Sequence, residues 1–148
     1  MGFPLWALLL AAFAGIIMAF QGALNASLGK IVGSFESTLV VHLVGTAAVA
    51  IPFLIVKGGK GGLVHLRQAP WYSLLGGVLG VAIVASVIIS IPKAGVANAT
   101  TAIIIGQVIT AMAIDCFGLF GLEQIPLSWM KILGLLFLAA GGYLLLNH

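Results

Sequence analysis

The placement of nine charged residues constrains this chain more than any other feature of its sequence. They are Lys30, Glu36, Lys57, Lys60, Arg67, Lys93, Asp115, Glu123 and Lys131. Five long uncharged windows separate or flank them: residues 1–29, 37–56, 68–92, 94–114 and 132–148, of 29, 20, 25, 21 and 17 residues. A helix needs about 17–25 mostly apolar residues to cross a bilayer core, so each window can hold one span. Charged residues make up 6% of the chain and hydrophobic ones 62%, against roughly 25% charged in a soluble domain. A soluble globule and a disordered chain are both excluded. The sequence predicts an all-α integral membrane protein, a single transmembrane domain over residues 1–148. Its five spans fall at about 4–29, 37–56, 71–91, 98–122 and 127–146.

The net charge of +3 does not point to nucleic acid, because the basic residues sit singly in short loops rather than on one surface. The one cysteine, Cys116, rules out an internal disulfide and a thiolate metal cage. The apolar run from Phe3 to Phe20 has no preceding basic residue and exceeds an ordinary signal core, so it reads as a retained first span. Cys116 is internal and fits no lipidation motif. Proline supports the span limits: Pro4, Pro70 and Pro126 lie at span starts and Pro92 at a span end, where a missing N–H costs little. Pro52 falls inside the second span and predicts a kink.

An odd number of spans places the two termini on opposite sides. The loops on the N-terminal side hold Lys57, Lys60, Arg67 and Lys131, and the other side holds Lys30 and Lys93. That excess favours a cytoplasmic N-terminus, since basic residues resist translocation. Trp6, Trp71 and Trp129 each open an odd-numbered span, which agrees with the alternation, because indoles prefer the interface.

Glycine marks where helices approach closely. Gly15, Gly22 and Gly29 recur every seven residues in the first span, Gly76 and Gly80 share a side of the third, and Gly134 and Gly141 lie a heptad apart in the fifth. Small residues let helix backbones pack without a hydrophobic driving force. Ordinary packing within the chain accounts for any one stripe. Three stripes in five helices suggest a second interface, which a dimer would use.

Polar groups inside a membrane are expensive and therefore candidates for function. With the fourth span centred near Thr110, Asp115 falls about 7–8 Å beyond its middle, near a helix C-terminus whose dipole disfavours an anion. A carboxylate there either binds a cation or exchanges a proton, or it snorkels to water or pairs with a basic residue. Gln107 precedes it by two turns, with Thr110 between, and its amide can align a substrate or bridge helices. Gln21 and Asn25 form an i,i+4 pair beside the glycine stripe of the first span. His42, one to two turns into the second span, is a packing hydrogen-bonder or a relay. Glu36 with Ser34 reads as the cap of the second span, and Asn98 as the N-cap of the fourth. No catalytic set, HExxH, P-loop or dinucleotide fingerprint is present, so neither an enzyme nor a cofactor or metal site is expected.

These residues carry a family likeness. Residues 21–29 (Gln-Gly-Ala-Leu-Asn-Ala-Ser-Leu-Gly), 99–103 (Ala-Thr-Thr-Ala-Ile) and 107–115 (Gln-Val-Ile-Thr-Ala-Met-Ala-Ile-Asp) resemble the YdcZ-type family of small bacterial membrane proteins. Residues 117–119 (Phe-Gly-Leu) and the closing helix with Gly134 and Gly141 resemble it too. That family is grouped with the drug/metabolite transporter superfamily, and residues 121–141 resemble the end of its EamA-type repeat. Where such repeats often have a proline in the fourth helix, this chain has Gly106-Gln107. The resemblance implies half of a ten-helix inverted-repeat transporter in the bacterial inner membrane. It further implies insertion in opposite orientations and a substrate site near the midplane between halves.

Together these readings predict a transporter that exports a small metabolite or drug, cationic compounds among the candidates, with proton coupling. It would act as an antiparallel homodimer by alternating access, with Gln21, Asn25, Gln107 and Asp115 along the pathway. The alternatives are a small dual-topology dimeric channel, which would show a far higher flux, and a non-transporting accessory subunit, which would need a different partner.

Overall fold

The computed structural model describes residues 4–58 and 61–147, which places Lys60 and His148 outside the described residues. Five helices are long and apolar enough to cross a membrane. They are α1 (Leu5–Val32), α2 (Ser34–Lys57), α3 (Leu75–Ala94), α4 (Val96–Phe117) and α5 (Trp129–Leu146). Two short 3-10 helices, Gly62–Gln68 and Trp71–Leu74, carry the chain from α2 to α3 and lengthen the third candidate span to Trp71–Ala94. There Trp71 and Tyr72 meet edge to face, with centroids 6.2 Å apart.

The helix limits differ from the expected spans where glycine intervenes. One residue, Gly33, separates α1 from α2; at φ +99° its N–H bonds to the Gly29 carbonyl, and its carbonyl accepts from Ser37 N–H. Gly33, not Ser34, is thus the N-cap of α2, and no side chain caps that end. The Glu36 carboxylate instead folds over Gly33, placing a negative charge at the positive end of the helix dipole. Gly95, at φ +85°, is the N-cap of α4, which puts Asn98 inside the first turn. Ser128 caps α5 by accepting from Lys131 N–H at 3.3 Å. Pro92 lies inside the last turn of α3, which continues to Ala94.

The C-terminal limit of α4 matters most. Gly118 turns left-handed at φ +58°, and its N–H reaches the Ile114 and Asp115 carbonyls, so the helix stops at Phe117. Residues 119–128 then fold back beneath that end. Ile125 N–H donates to the Asp115 carbonyl at 2.9 Å, and the Gln124 amide donates to the Cys116 carbonyl at 2.8 Å. Carbonyls at a helix end lack helical partners, and near hydrocarbon water is scarce; this linker supplies the missing donors.

The chain divides into two compact units, Met1–Lys93 and Ala94–His148. In the first, α1 packs against α2 and receives the side chains of α3. A methyl placed on Gly22 would meet Ile91 Cδ1 at 3.1 Å and Val87 Cγ1 at 3.2 Å, and one on Gly29 would fall onto Ile88 Cγ2. Ile88 is 1% exposed, the most buried hydrophobic residue of this unit. In the second unit α4 packs against α5, with Gly142 set against Ile105 and Thr101. Buried apolar side chains are few (Ala26, Ile88, Ile91 and Ala99), while large ones such as Phe35 and Trp129 point outward. That pattern would be unstable in water. It suits a protein whose solvent is lipid, where small residues rather than a thick core hold helices together.

Candidate functional site

The polar residues singled out by the sequence fall in two groups, one per unit. In the first unit, Asn25 is buried at 8% exposure in the middle of the α1–α2–α3 packing. Its backbone carbonyl accepts a hydrogen bond from the Ser37 hydroxyl at 3.1 Å, and Ser37 is fully buried. The bond ties α1 to α2 just below the Gly33 turn. Neither side-chain polar atom of Asn25 is a buried unsatisfied group, and no bond to the amide is formed by the described residues, so the amide reaches accessible space. Gln21, one turn earlier on α1, is exposed.

His42 is half-buried on α2 and faces α3. Its Nδ1 lies 2.8 Å from the Thr38 carbonyl. A carbonyl can only accept, so Nδ1 carries the proton and Nε2 of the neutral ring is an acceptor. Thr38 in turn donates its hydroxyl to the Ser34 carbonyl at 2.7 Å. Gly80 of α3 sits opposite, where an added methyl would lie 3.9 Å from His42 Nε2. A groove of about 470 Å³ runs between α2 and α3 alongside this histidine.

In the second unit, α4 runs from Val96 to Phe117, so its midpoint lies between Gly106 and Gln107. Gln107 is therefore the mid-helix polar group. It is exposed, as is Thr110, and neither side chain bonds to another described residue. Asp115 moves the opposite way. It lies about 13 Å from the midpoint at about 1.5 Å per residue, close to the edge of a hydrocarbon layer about 30 Å thick, rather than the 7–8 Å expected from a helix ending at residue 122. Asp115 is half-buried, and its carbonyl rather than its carboxylate holds the linker. Among the described residues no basic side chain pairs with that carboxylate.

The striped glycines separate by environment. Gly22 and Gly29 lie under α3 side chains and Gly80 lies by His42, whereas Gly15, Gly76, Gly134 and Gly141 have nothing within 4 Å of an added methyl. Sequence spacing pointed to Gly141 on α5, yet its neighbour Gly142 makes the close approach to α4. Sequence reasoning also missed Ser37, Gln124 and Gly118. The Phe-Gly-Leu-Phe-Gly run at 117–121 was the available signal for a helix stop, since glycine just past a helix readily adopts the left-handed turn.

A family model described as "Putative inner membrane exporter, YdcZ" matches residues 6–144. No curated protein and no solved structure matches the chain.

Proposed function

The chain belongs to the YdcZ family of inner membrane exporters, and from that premise we propose that it moves a small molecule out through a pathway lined by Gln21, Asn25, Gln107 and Asp115. Membership makes it a transporter rather than an enzyme and places it in the inner membrane. The finer reading is a single membrane domain that pairs as an antiparallel homodimer and works by alternating access, each chain supplying one half of an inverted repeat. The open glycines of the three stripes, Gly15, Gly76, Gly134 and Gly141, support a second close-packed interface.

The observation that carries this reading is Gln107. An amide at the middle of a membrane helix, flanked by Ile105, Gly106 and Val108 and with no hydrogen-bond partner among the described residues, is costly in hydrocarbon. A translocated solute or a second protomer relieves that cost. Asn25 presents a second amide to accessible space, and Thr110 adds a hydroxyl one turn from Gln107. Asp115, nearer the membrane edge, is placed to exchange a proton with water or to meet a cation as it enters or leaves the pathway.

The test is transport by purified protein in liposomes, using a compound that first raises its melting temperature, as a ligand of the folded state must. Asp115→Asn abolishes proton coupling in this reading. It leaves the end of α4 intact, because the bonds made there come from the backbone carbonyl, which asparagine keeps. Unchanged proton-coupled transport by Asp115→Asn would remove Asp115 from the mechanism.

A further inference from the structure

The groove between α2 and α3 is a ligand site in its own right: we propose that it binds an uncharged lipophilic molecule carrying one O–H or N–H donor, which His42 Nε2 accepts. This goes beyond the export pathway, since it uses none of Gln21, Asn25, Gln107 or Asp115 and its occupancy does not require transport.

Three observations fix the chemistry of the occupant. First, the volume of about 470 Å³ falls within the range of small-molecule clefts, about 300–1,000 Å³, which are apolar with a few placed polar groups. Second, the walls are apolar, formed by Phe35 and Leu39 of α2 and by Val81, Ala85 and Ile89 of α3, with no charged side chain among the described residues that line them. A cation would therefore enter without a counter-charge, which favours a neutral body. Third, the polar side chains of the α2 wall are largely committed along their own helix. Thr38 donates to the Ser34 carbonyl and His42 Nδ1 donates to the Thr38 carbonyl. What His42 still offers is the Nε2 lone pair.

Depth and access complete the argument. His42 lies about 5 Å from the midpoint of α2 at about 1.5 Å per residue, so a donor on the ligand would meet this acceptor well inside the hydrocarbon. An acceptor there has little water to satisfy it, and a ligand O–H would. Glycine at position 80 keeps the approach open, because even one added methyl would stand 3.9 Å from Nε2.

The experiment uses the full chain in nanodiscs and measures equilibrium dialysis of 1-naphthol against 1-methoxynaphthalene, with empty nanodiscs subtracted for partitioning into lipid. The two probes share an aromatic body and differ in the donor. The expected result is saturable binding of 1-naphthol, tighter than 1-methoxynaphthalene by about three- to tenfold, as one neutral hydrogen bond would give. His42→Phe keeps a ring in the groove but removes the acceptor, so it should abolish the preference while leaving the methoxy compound bound. Gly80→Ala, which fits at ordinary contact distance, should reduce the preference and serves as the second variant if His42→Phe does not fold. The proposal is overturned by binding no greater than that of empty nanodiscs, as when an acyl chain holds the groove. Equal binding of the two probes to the unaltered protein, or a preference that survives His42→Phe, overturns it as well.

Discussion

Asn25 and Gln107 both carry carboxamides on membrane helices, and the chain packs in opposite ways around the two residues. Around Asn25 the chain closes. The residue is 8% exposed, its backbone carbonyl accepts from the Ser37 hydroxyl, and Gly22 and Gly29 on the same helix lie under the side chains of α3. Around Gln107 the chain stays open: the amide is exposed at mid-helix, and its neighbour Gly106 has nothing within 4 Å of an added methyl. The difference separates two uses of polar and small residues in lipid. The glycines and the backbone carbonyl around Asn25 fasten helices of one unit, and the open amide of Gln107 belongs to the proposed pathway.

If that division is right, substitutions at the closed region should cost stability and those at the open region should not. The largest effect is expected at Gly29. Ile88 is fully buried and stiff at its branched carbon, so Gly29→Ala should destabilise the protein by about 1–3 kcal/mol, the range for overpacking. Gly15→Ala, on the same stripe with nothing within 4 Å of an added methyl, should stay within about 0.5 kcal/mol when the chain is held monomeric. Thermal unfolding of both variants in one detergent measures the contrast. Equal melting temperatures would erase the distinction between the two ends of the stripe.

Next in size is Gly118→Ala. A left-handed residue other than glycine costs roughly 1–2 kcal/mol, and the added methyl would also press on Gln124 Cβ and the Leu122 carbonyl. Hydrogen exchange should then rise at Ile125, whose N–H bonds to Asp115, before it rises in the middle of α4. A smaller loss, about 0.6 kcal/mol as for an average membrane hydrogen bond, is expected for Ser37→Ala, read by the same unfolding assay. A cost as large as that of Gly29→Ala would mean that the hydroxyl, not the glycine packing, closes the α1–α2 junction.

Much of this is legible in the sequence. Charge spacing alone located the five helices, because in a chain with nine charged residues an uncharged stretch of 17 or more has few folds open to it. The helix ends were harder. Polar caps were expected at Ser34 and Asn98, yet the caps are Gly33 and Gly95, whose positive φ values permit sharp reversals that a side-chain cap does not. Reading through Gly118 lengthened the fourth span by five residues and starting it at Asn98 dropped two, and together these moved Asp115 toward the midplane and Gln107 away from it. The residues proposed for the site stand out in the sequence, since polar groups in apolar runs are conspicuous. Their partners were not readable: Ser37 meets Asn25 across a helix turn, twelve residues on. The α2–α3 groove was invisible in sequence because its walls are ordinary Val, Ala and Ile, and only the approach of α3 turns His42 from an isolated polar residue into part of a lined cleft.

The central claim is that Gln107 is kept open for transport rather than for the fold, and Gln107→Leu tests it most directly. The variant should unfold within about 0.5 kcal/mol of the unaltered protein, as a substitution at an exposed position does. In liposomes it should lose at least tenfold in the rate of export of the stabilising compound. Full transport activity, or a loss of activity that merely follows a loss of stability, would contradict it.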